Sequence, residues 1–249
     1  MFKWTFKGLL AEPVHLFSSA SAVGAAFALV LFFEAVFAGE SKQIVEYIQR
    51  TDPTVWVMQK GVSNMHMASS FVWDWKADSV EAVDGVSKVT PILYLNTVMV
   101  AGERNWFTFV VGLRAGDDRA GPWAITAGAS LPGPGEAIVP AVLARLAGLN
   151  LGDKITIAGR QFTIAGLSED TFSMANSVTF VTLDDLSDIM SAFGSFSYFL
   201  VDAEPGVNAA DLAARIRDEV EKVNALPNEA FVKSDWSLAM QMGLEKSSV

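Results

Sequence analysis

From Leu16 to Ala38 the chain reads LFSSASAVGAAFALVLFFEAVFA, with Glu34 as its single ionisable residue. About 20 apolar residues cross a bilayer as a helix, because the membrane interior holds no water and the backbone must satisfy its own hydrogen bonds. A soluble core helix of this length carries a polar stripe, and this run carries none. Residues 16–38 are therefore expected to form a transmembrane helix. Residues 1–15 become a leader, and residues 39–249 a separate domain on the far side. A cleaved signal peptide is the competing reading, because Val36-Phe37-Ala38 before Gly39 would suit a signal peptidase. The leader, however, is long and contains Glu12, Pro13 and aromatic residues, and the run exceeds the roughly 7–15 residues of a signal core, which favours a retained anchor.

Lys3 and Lys7 precede the run, so the positive-inside rule puts the N-terminus in the cytoplasm. Met1 to His15 alternates apolar bulk with Lys. It reads either as an interfacial helix lying on membrane lipid or as a frayed tail. Ala20, Gly24 and Ala28 lie four apart, as do Ser18, Ala22 and Ala26. Small residues at that spacing let helix backbones approach closely, so the span is expected to pack on other spans. Glu34, about one turn from the outer end, reaches either the interface or a polar contact within a bundle.

The chain carries 18 Lys+Arg against 28 Asp+Glu, a net charge of −10, with no basic run. Phosphate binding needs clustered cations, so nucleic acid is excluded as a partner. Cysteine is absent, which removes disulfides, thiolate nucleophiles and Cys-based metal sites. The part after the span is long enough for one large domain or two small lobes.

After the span, Glu40 to Arg50 is expected to continue outward as a stalk helix with an Ile44, Val45, Ile48 stripe, ended by Asp52-Pro53. Thr54 to Lys60 reads as a strand and Gly61 to Ser70 as a loop. Phe71 to Ala82 reads as a helix capped by Ser69 or Ser70, with Gly85 as its stop. Val86 to Ala101 is one long strand or two short ones broken near Pro91, and it forms a hairpin with Asn105 to Leu113 across Gly102-Glu103. Arg114 to Gly135 is loop-rich. Glu136 to Val139 is a strand, and Pro140 opens a helix to Ala147 that Gly148 closes. Asp153 to Ala158 and Gln161 to Leu167 form a hairpin joined at Gly159-Arg160. Val178 to Val181 is a strand, and Thr182 caps a helix through Met190. Ser197 to Val201 is a strand, Pro205-Gly206 a turn, and Asn208 caps a helix over Ala209 to Val223. Ala230 to Lys233 is expected as the last strand. Helices mixed with hairpins, without strict βαβ alternation, give an α+β class.

The chemistry is sparse. Of the two histidines, His15 adjoins the span and His66 sits in Asn64-Met65-His66-Met67, with Met58 upstream. Imidazole and thioether suit Cu(I); the same methionines also suit core gaps. A serine hydrolase needs a base, and would require His66 in a cleft beside a Ser and a carboxylate. Asp117-Asp118 falls in a loop, and Asp184-Asp185 opens the helix after Thr182, where negative charge suits the helix dipole. No Walker A, G-x-G-x-x-G, H-E-x-x-H or EF-hand pattern is present. No catalytic, cofactor-binding or metal residue is assigned, no cofactor is expected, substrate-binding residues stay unassigned, and the chain reads as a non-enzyme. Trp73-Asp74-Trp75 cannot place both rings on one helical face, so one of them is expected to be exposed; together with Trp56, Trp106, Trp123 and Trp236 they suit either a core and lobe interface or an apolar surface that meets a partner or a lipid-like substrate.

Gly135-Glu136-Ala137-Ile138-Val139, Leu143 to Asp153 (LARLAGLNLGD) and Lys154 to Leu167 (KITIAGRQFTIAGL) together resemble the periplasmic core of MacB-like ABC transporter permeases, of the MacB/FtsX superfamily. Val83-Asp84-Gly85-Val86 with Val89-Thr90-Pro91, and the helix after Pro205-Gly206 with Asn208 and Asp211, resemble that family too. The resemblance implies one span followed by a mixed α/β periplasmic domain of two lobes over residues 39–249. It implies a permease in the bacterial inner membrane that transmits ATP-driven motion outward, for export or for lipoprotein or other substrate handling. Its implied partners are a separate ABC ATPase subunit, a second permease copy of the same or a different kind, and a periplasmic adaptor. Further spans follow the outer domain in that family, so the chain reads as a partial permease. A membrane-anchored periplasmic binding or tethering domain without transport activity is the alternative.

Overall fold

The computed structural model describes residues 13–66, 68–172 and 177–245, so most of the expected leader lies outside it. The chain divides after Lys42 into two units. Helix α1 (Pro13–Ile44), which lies in the first unit up to Lys42, contains Phe17–Val36, 20 residues of mean hydropathy 1.9, none of it buried. By length and composition this stretch can cross a membrane, and Ala20, Gly24 and Ala28 are exposed on it.

The expected stalk is not one helix. α1 ends at Ile44, and after Val45 a separate short helix, α2 (Glu46–Thr51), begins. Val45, Tyr47 and Ile48 are buried in the second unit, so α2 belongs to the core of that unit. The order then runs β1 (Val55–Gln59), β2 (Val72–Trp73), α3 (Lys76–Glu81), β3 (Val86–Ala101), β4 (Arg104–Leu113), β5 (Ile125–Gly128) and β6 (Glu136–Pro140). It continues through α4 (Ala141–Ala147), β7 (Lys154–Ile157), β8 (Arg160–Ser168), β9 (Val178–Thr182), α5 (Leu183–Met190), β10 (Ser195–Phe196), β11 (Tyr198–Ala203), α6 (Ala209–Glu219), β12 (Val223–Pro227) and α7 (Asn228–Glu245).

Ten strands form one sheet in the order β12-β1-β11-β3-β4-β9-β6-β8-β5, with β7 beside β3 and β8. The architecture is mixed α/β, and the sheet, within one compact unit from Gln43 onward, has two halves joined along β3. From Val86 to Ile92 β3 pairs with β11; from Leu93 to Ala101 it pairs with β4. Pro91 sits just before the exchange of partners and does not break the strand.

Alternation along the strands divides the apolar residues between two faces. In β1, Val55 and Val57 pack with Phe199, Leu212 and Ile216 beneath α6, whereas Trp56 and Met58 face the opposite side with Ile48, Tyr198 and Phe231. In the other half, Leu93, Val110, Val139 and Phe162 pack under α4 and α5 with Leu143 and Leu186. The cluster around Trp56 extends through Val111, Ile138 and Phe180, so it serves both halves.

Several local expectations are corrected. Phe71 to Ala82 is not one helix. Ser70 Oγ accepts from Gln59 N–H at 2.9 Å and Phe71 N–H donates to Gln59 Oε1 at 3.1 Å, which sets the backbone into β2 before α3 starts. β2 pairs with β10 as a small separate ribbon. β5 lies inside the stretch read as loop. The β7–β8 turn sits at Ala158-Gly159, where both residues take positive φ, the geometry of a type I′ turn. The helix after Asn208 stops at Glu219, and Lys222, with φ 63, turns the chain into β12. Ala230 to Lys233 is helical: Phe231 and Asp235, four apart, are both buried on one face of α7.

Gly166 marks a tight backbone approach in the sheet. A Cβ there would run into the carbonyl oxygen of Ala129 and the side chain of Ile138. Gly166→Ala is therefore expected to lower the unfolding free energy by about 1–3 kcal/mol through overpacking. Urea titration of the detergent-solubilised chain followed by tryptophan fluorescence checks this; an unchanged midpoint would contradict the packing.

Candidate functional site

α2 is the first element of the sheet unit, and its C-terminal end is unusually well tied down. Thr51 Oγ1 donates to the carbonyls of Tyr47 (2.9 Å) and Ile48 (3.1 Å), and Asp52 turns left-handed at φ 36. A helix C-terminus gathers partial negative charge on unpaired carbonyls, and a cation there is favourable. Arg119, from the β4–β5 connection, supplies it. Its Nη1 donates to the Thr51 carbonyl and its Nη2 to the Asp52 carbonyl at 3.1 Å. The same guanidinium makes a two-pronged contact with Asp202 at the end of β11, with Nε–Oδ2 at 2.9 Å and Nη2–Oδ1 at 2.7 Å. The Asp202 hydrogen bonds outweigh the cost of burial and hold Arg119 more firmly protonated than usual. Tyr47 Oη adds a bond to the Ala120 carbonyl at 3.2 Å.

Asp117 braces the same loop, accepting the Arg119 N–H at 3.0 Å and facing the Lys88 ammonium at 3.2 Å. Burial pushes its carboxyl up, but the Arg119 N–H and then Lys88 outweigh this and leave it below the usual carboxylate range. A depressed folded-state value means stability that is present above the ordinary carboxylate range and lost as pH falls through the lower one.

Asn228, the first residue of α7, closes the other side. Its Nδ2 donates to Asp52 Oδ1 at 2.7 Å, and its Oδ1 accepts the buried Trp56 Nε1–H at 2.8 Å. Its backbone N–H donates to the Thr54 carbonyl at 3.3 Å. One carboxamide thus joins the end of α2, strand β1 and the start of α7. Farther along α7, Phe231 stacks on Trp56 at 4.9 Å. Asp235 Oδ1 accepts the N–H of Met65 (2.7 Å) and of His66 (3.2 Å), while Oδ2 pairs with His66 Nδ1.

The residues singled out from the sequence fall elsewhere or into structural roles. His66 and Met65 line one pocket of about 250 Å³, but Met58 lies in the core behind β1 and Met67 is outside the described residues. His66 does meet a carboxylate. Of the serines beside it, Ser70 is held by Gln59, and Ser197 Oγ accepts the Tyr94 N–H at 3.0 Å. Among the described residues no cluster of three His, Cys, Asp or Glu side chains is positioned to hold a metal. Asp185 accepts from Thr182 Oγ1 and Gly135 N–H, each at 2.7 Å, and pairs with Arg160, so it anchors the start of α5. Both Trp73 and Trp75 are exposed, not one of them. Arg119, Asp202, Asn228 and Asp235 carried no spacing signal; only Asn228, after Pro227 and before an apolar triplet, had the form of a helix start.

The family model described as MacB-like periplasmic core domain matches residues 17–219. The periplasmic region of MacB from Actinobacillus actinomycetemcomitans superposes with a TM-score of 0.54 at 12% identity, covering 77% of this chain and 96% of that one. The extracellular domain of the noncanonic ABC-type transporter YknZ from Gram-positive bacteria gives 0.54 at 12% identity, covering 69% and 98%. At this identity the likeness is one of fold. No curated protein matches the chain.

Arg119→Met leaves Asp202 and two helix-end carbonyls without their donor. It is expected to cost about 1.5–3 kcal/mol, the scale of hydrogen bonds to a charged group. Asn228→Leu strands the buried Trp56 N–H and is expected to cost about 1–3 kcal/mol. Both are checked by urea titration; losses under about 0.5 kcal/mol, the range of ordinary surface substitutions, would contradict these roles.

Proposed function

We propose, from the premise that this chain belongs to the MacB-like periplasmic core domain family, that it acts as the permease subunit of an ABC transport system. In this reading α1 crosses the inner membrane with its N-terminus in the cytoplasm, and the sheet unit lies outside. ATP is hydrolysed by a separate ATPase subunit, and its closure moves α1. The movement reaches α2 through the one residue between the two helices. Arg119 then passes it to β11 and Asn228 to β1 and α7, so that both half-sheets shift with the span. A second permease copy and a periplasmic adaptor complete the assembly, and lipid surrounds the span.

The observation that carries this reading is the fastening of α2. A domain that is merely tethered needs a loose linker after its anchor, whereas here Tyr47, Ile48 and Thr51 of α2 are buried and its far end is bonded. Small residues exposed on α1 support packing on other spans. Anchored binding without transport remains a second reading, favoured by exposed aromatic side chains around β2.

Co-expression with a candidate ABC ATPase subunit from the same organism tests the proposal. The full-length product is expected to co-purify with that subunit and to raise its ATP turnover. Arg119→Ala is expected to keep the complex and lose most of the stimulation. A stable product that never recruits an ATPase would contradict it. Topology is readable because residues 1–249 contain no cysteine. A single Glu103→Cys, in the exposed β3–β4 turn, is expected to react with a membrane-impermeant maleimide once the outer membrane is opened; protection until the inner membrane is lysed would reverse the orientation.

A further inference from the structure

The ten-stranded sheet has an opening beside β3. On that side β3 pairs with β11 as far as Ile92, and with β7 only at Met99 and Val100. Between them Ser197 stands in for a strand: its Oγ accepts the Tyr94 N–H at 3.0 Å and donates to the Tyr94 carbonyl at 3.4 Å. The pocket of about 250 Å³ described above lies at this opening, with Tyr94, Leu95 and Asn96 in its wall. Successive strand residues face opposite sides of a sheet, so a break in the pairing lets side chains from both faces meet. His66 comes from one face, where its ring centre lies 4.8 Å from that of Phe109. Met190, the last residue of α5, comes from the other, where it packs on the cluster of Leu93 and Leu186. Both line the pocket, and so does Met65.

His66 is fixed in the way a metal-binding imidazole is fixed. Its Nδ1 meets Asp235 Oδ2, while Asp235 Oδ1 accepts the N–H of Met65 at 2.7 Å and of His66 at 3.2 Å. A carboxylate with donors on both oxygens only accepts, so Nδ1 carries the hydrogen of this pair. Nε2 keeps its lone pair. It has no hydrogen-bond partner among the described residues and is not shut off from solvent. The His66 side chain is 13% exposed and that of Asp235 1%, so the imidazole fronts the pocket and the carboxylate stands behind it. A histidine that binds a metal through one nitrogen characteristically gives the other N–H to such a carboxylate, which orients the ring and makes the donor more basic.

The donors decide which ion fits. Among the described residues that line the pocket there is no Asp, Glu, Lys or Arg. Calcium and magnesium seek several oxygens, carboxylates foremost, and the wall offers none of those. Zinc needs three or four ligands from thiolate, imidazole and carboxylate, and a single imidazole falls short. Imidazole with thioether is the donor set of a soft ion such as copper(I). Thioethers bring no charge, so the one negative charge at the site is the Asp235 carboxylate, which matches a monovalent cation. Methionine has three rotatable bonds, so the sulfurs of Met65 and Met190 can turn to an ion without a backbone shift.

We propose that this opening in the sheet binds a soft monovalent cation of the copper(I) class, held by His66 Nε2 and by the thioether sulfurs of Met65 and Met190, with Asp235 orienting the imidazole from behind. The ion joins the loop before β2, which carries Met65 and His66, to the end of α5, two segments that the sheet leaves unbridged at this point. This goes beyond the coupling role and does not depend on it.

The test uses the full chain in a nanodisc of uncharged lipid, in chloride-free buffer, titrated calorimetrically with silver nitrate. Silver(I) takes the same donors as copper(I) and keeps its oxidation state in air. A tightest site of one silver ion per chain is expected, and zinc nitrate is expected to give no saturable binding. Met65→Leu and Met190→Leu keep the apolar bulk and remove the sulfur, a swap that cores tolerate. Each is expected to weaken silver binding by about tenfold or more, the scale seen when even an outer partner of a metal ligand is lost. His66→Gln is expected to abolish it. Unchanged circular dichroism of the leucine variants confirms their fold. No silver bound at an equimolar ratio would overturn the proposal. So would silver binding that both leucine variants leave unchanged, which would place an adventitious ion on other methionines, or zinc bound as tightly as silver, which would exclude a thioether site. Failure to recruit an ATPase would leave the silver result standing, so the two readings fail separately.

Discussion

One strand holds the sheet unit together. β3 gives its first half to β11 and its second to β4, and in a sheet interior every backbone N–H and C=O must find a partner. The two half-sheets cannot separate without stripping bonds from β3. The apolar cluster around Trp56 reinforces this, because it runs beneath both halves. A displacement applied at one end of this sheet is therefore shared, not absorbed at a hinge between lobes. α2 and α7 both pack on that cluster, and both meet at Asn228. One bonded point thus ties the end of α2, strand β1 and the start of α7 together.

Legibility in the sequence followed length and period. The span needed only hydropathy. Strands flanked by glycine turns and the helices capped by Thr182 and Asn208 were readable, because each carries a local device, a turn residue or a side chain that accepts the first free N–H. The failures came where long-range contacts overrode local preference. Phe71 to Trp73 has no strand pattern of its own and is extended because Gln59, eleven or more residues away, bonds its backbone. Ala230 to Lys233 is apolar enough for a strand and is helical because Phe231 must reach Trp56 while Asp235 reaches His66. A short apolar run cannot declare which period it follows.

The candidate site was legible only as a region. A stalk after the span could be anticipated, but not that it breaks at Val45 or that Arg119, far along the chain, caps its end. Arg119 sits in a glycine-rich connection with ordinary neighbours, and its role exists only once β11 brings Asp202 to it. The clustered tryptophans were visible, whereas the pairing that sets Trp73 outward depends on a ribbon between segments more than a hundred residues apart. His66 drew notice for its rarity, and its fold role, fastening a loop to α7, is set by a carboxylate no spacing rule could supply.

The central claim is that α2 is a rigid part of the sheet unit and not a flexible continuation of the span. Amide hydrogen exchange on the intact chain in a nanodisc measures this directly, because local opening reports the cooperative unit to which each amide belongs. The account predicts that amides near the end of α2, such as Thr51 and Asp52, exchange in the same slow class as those of β1 and β11, and that Arg119→Met frees them while β3 stays protected. Exchange of these amides orders of magnitude faster than β1 in the natural chain would contradict it, leaving the domain tethered to its anchor and not driven by it.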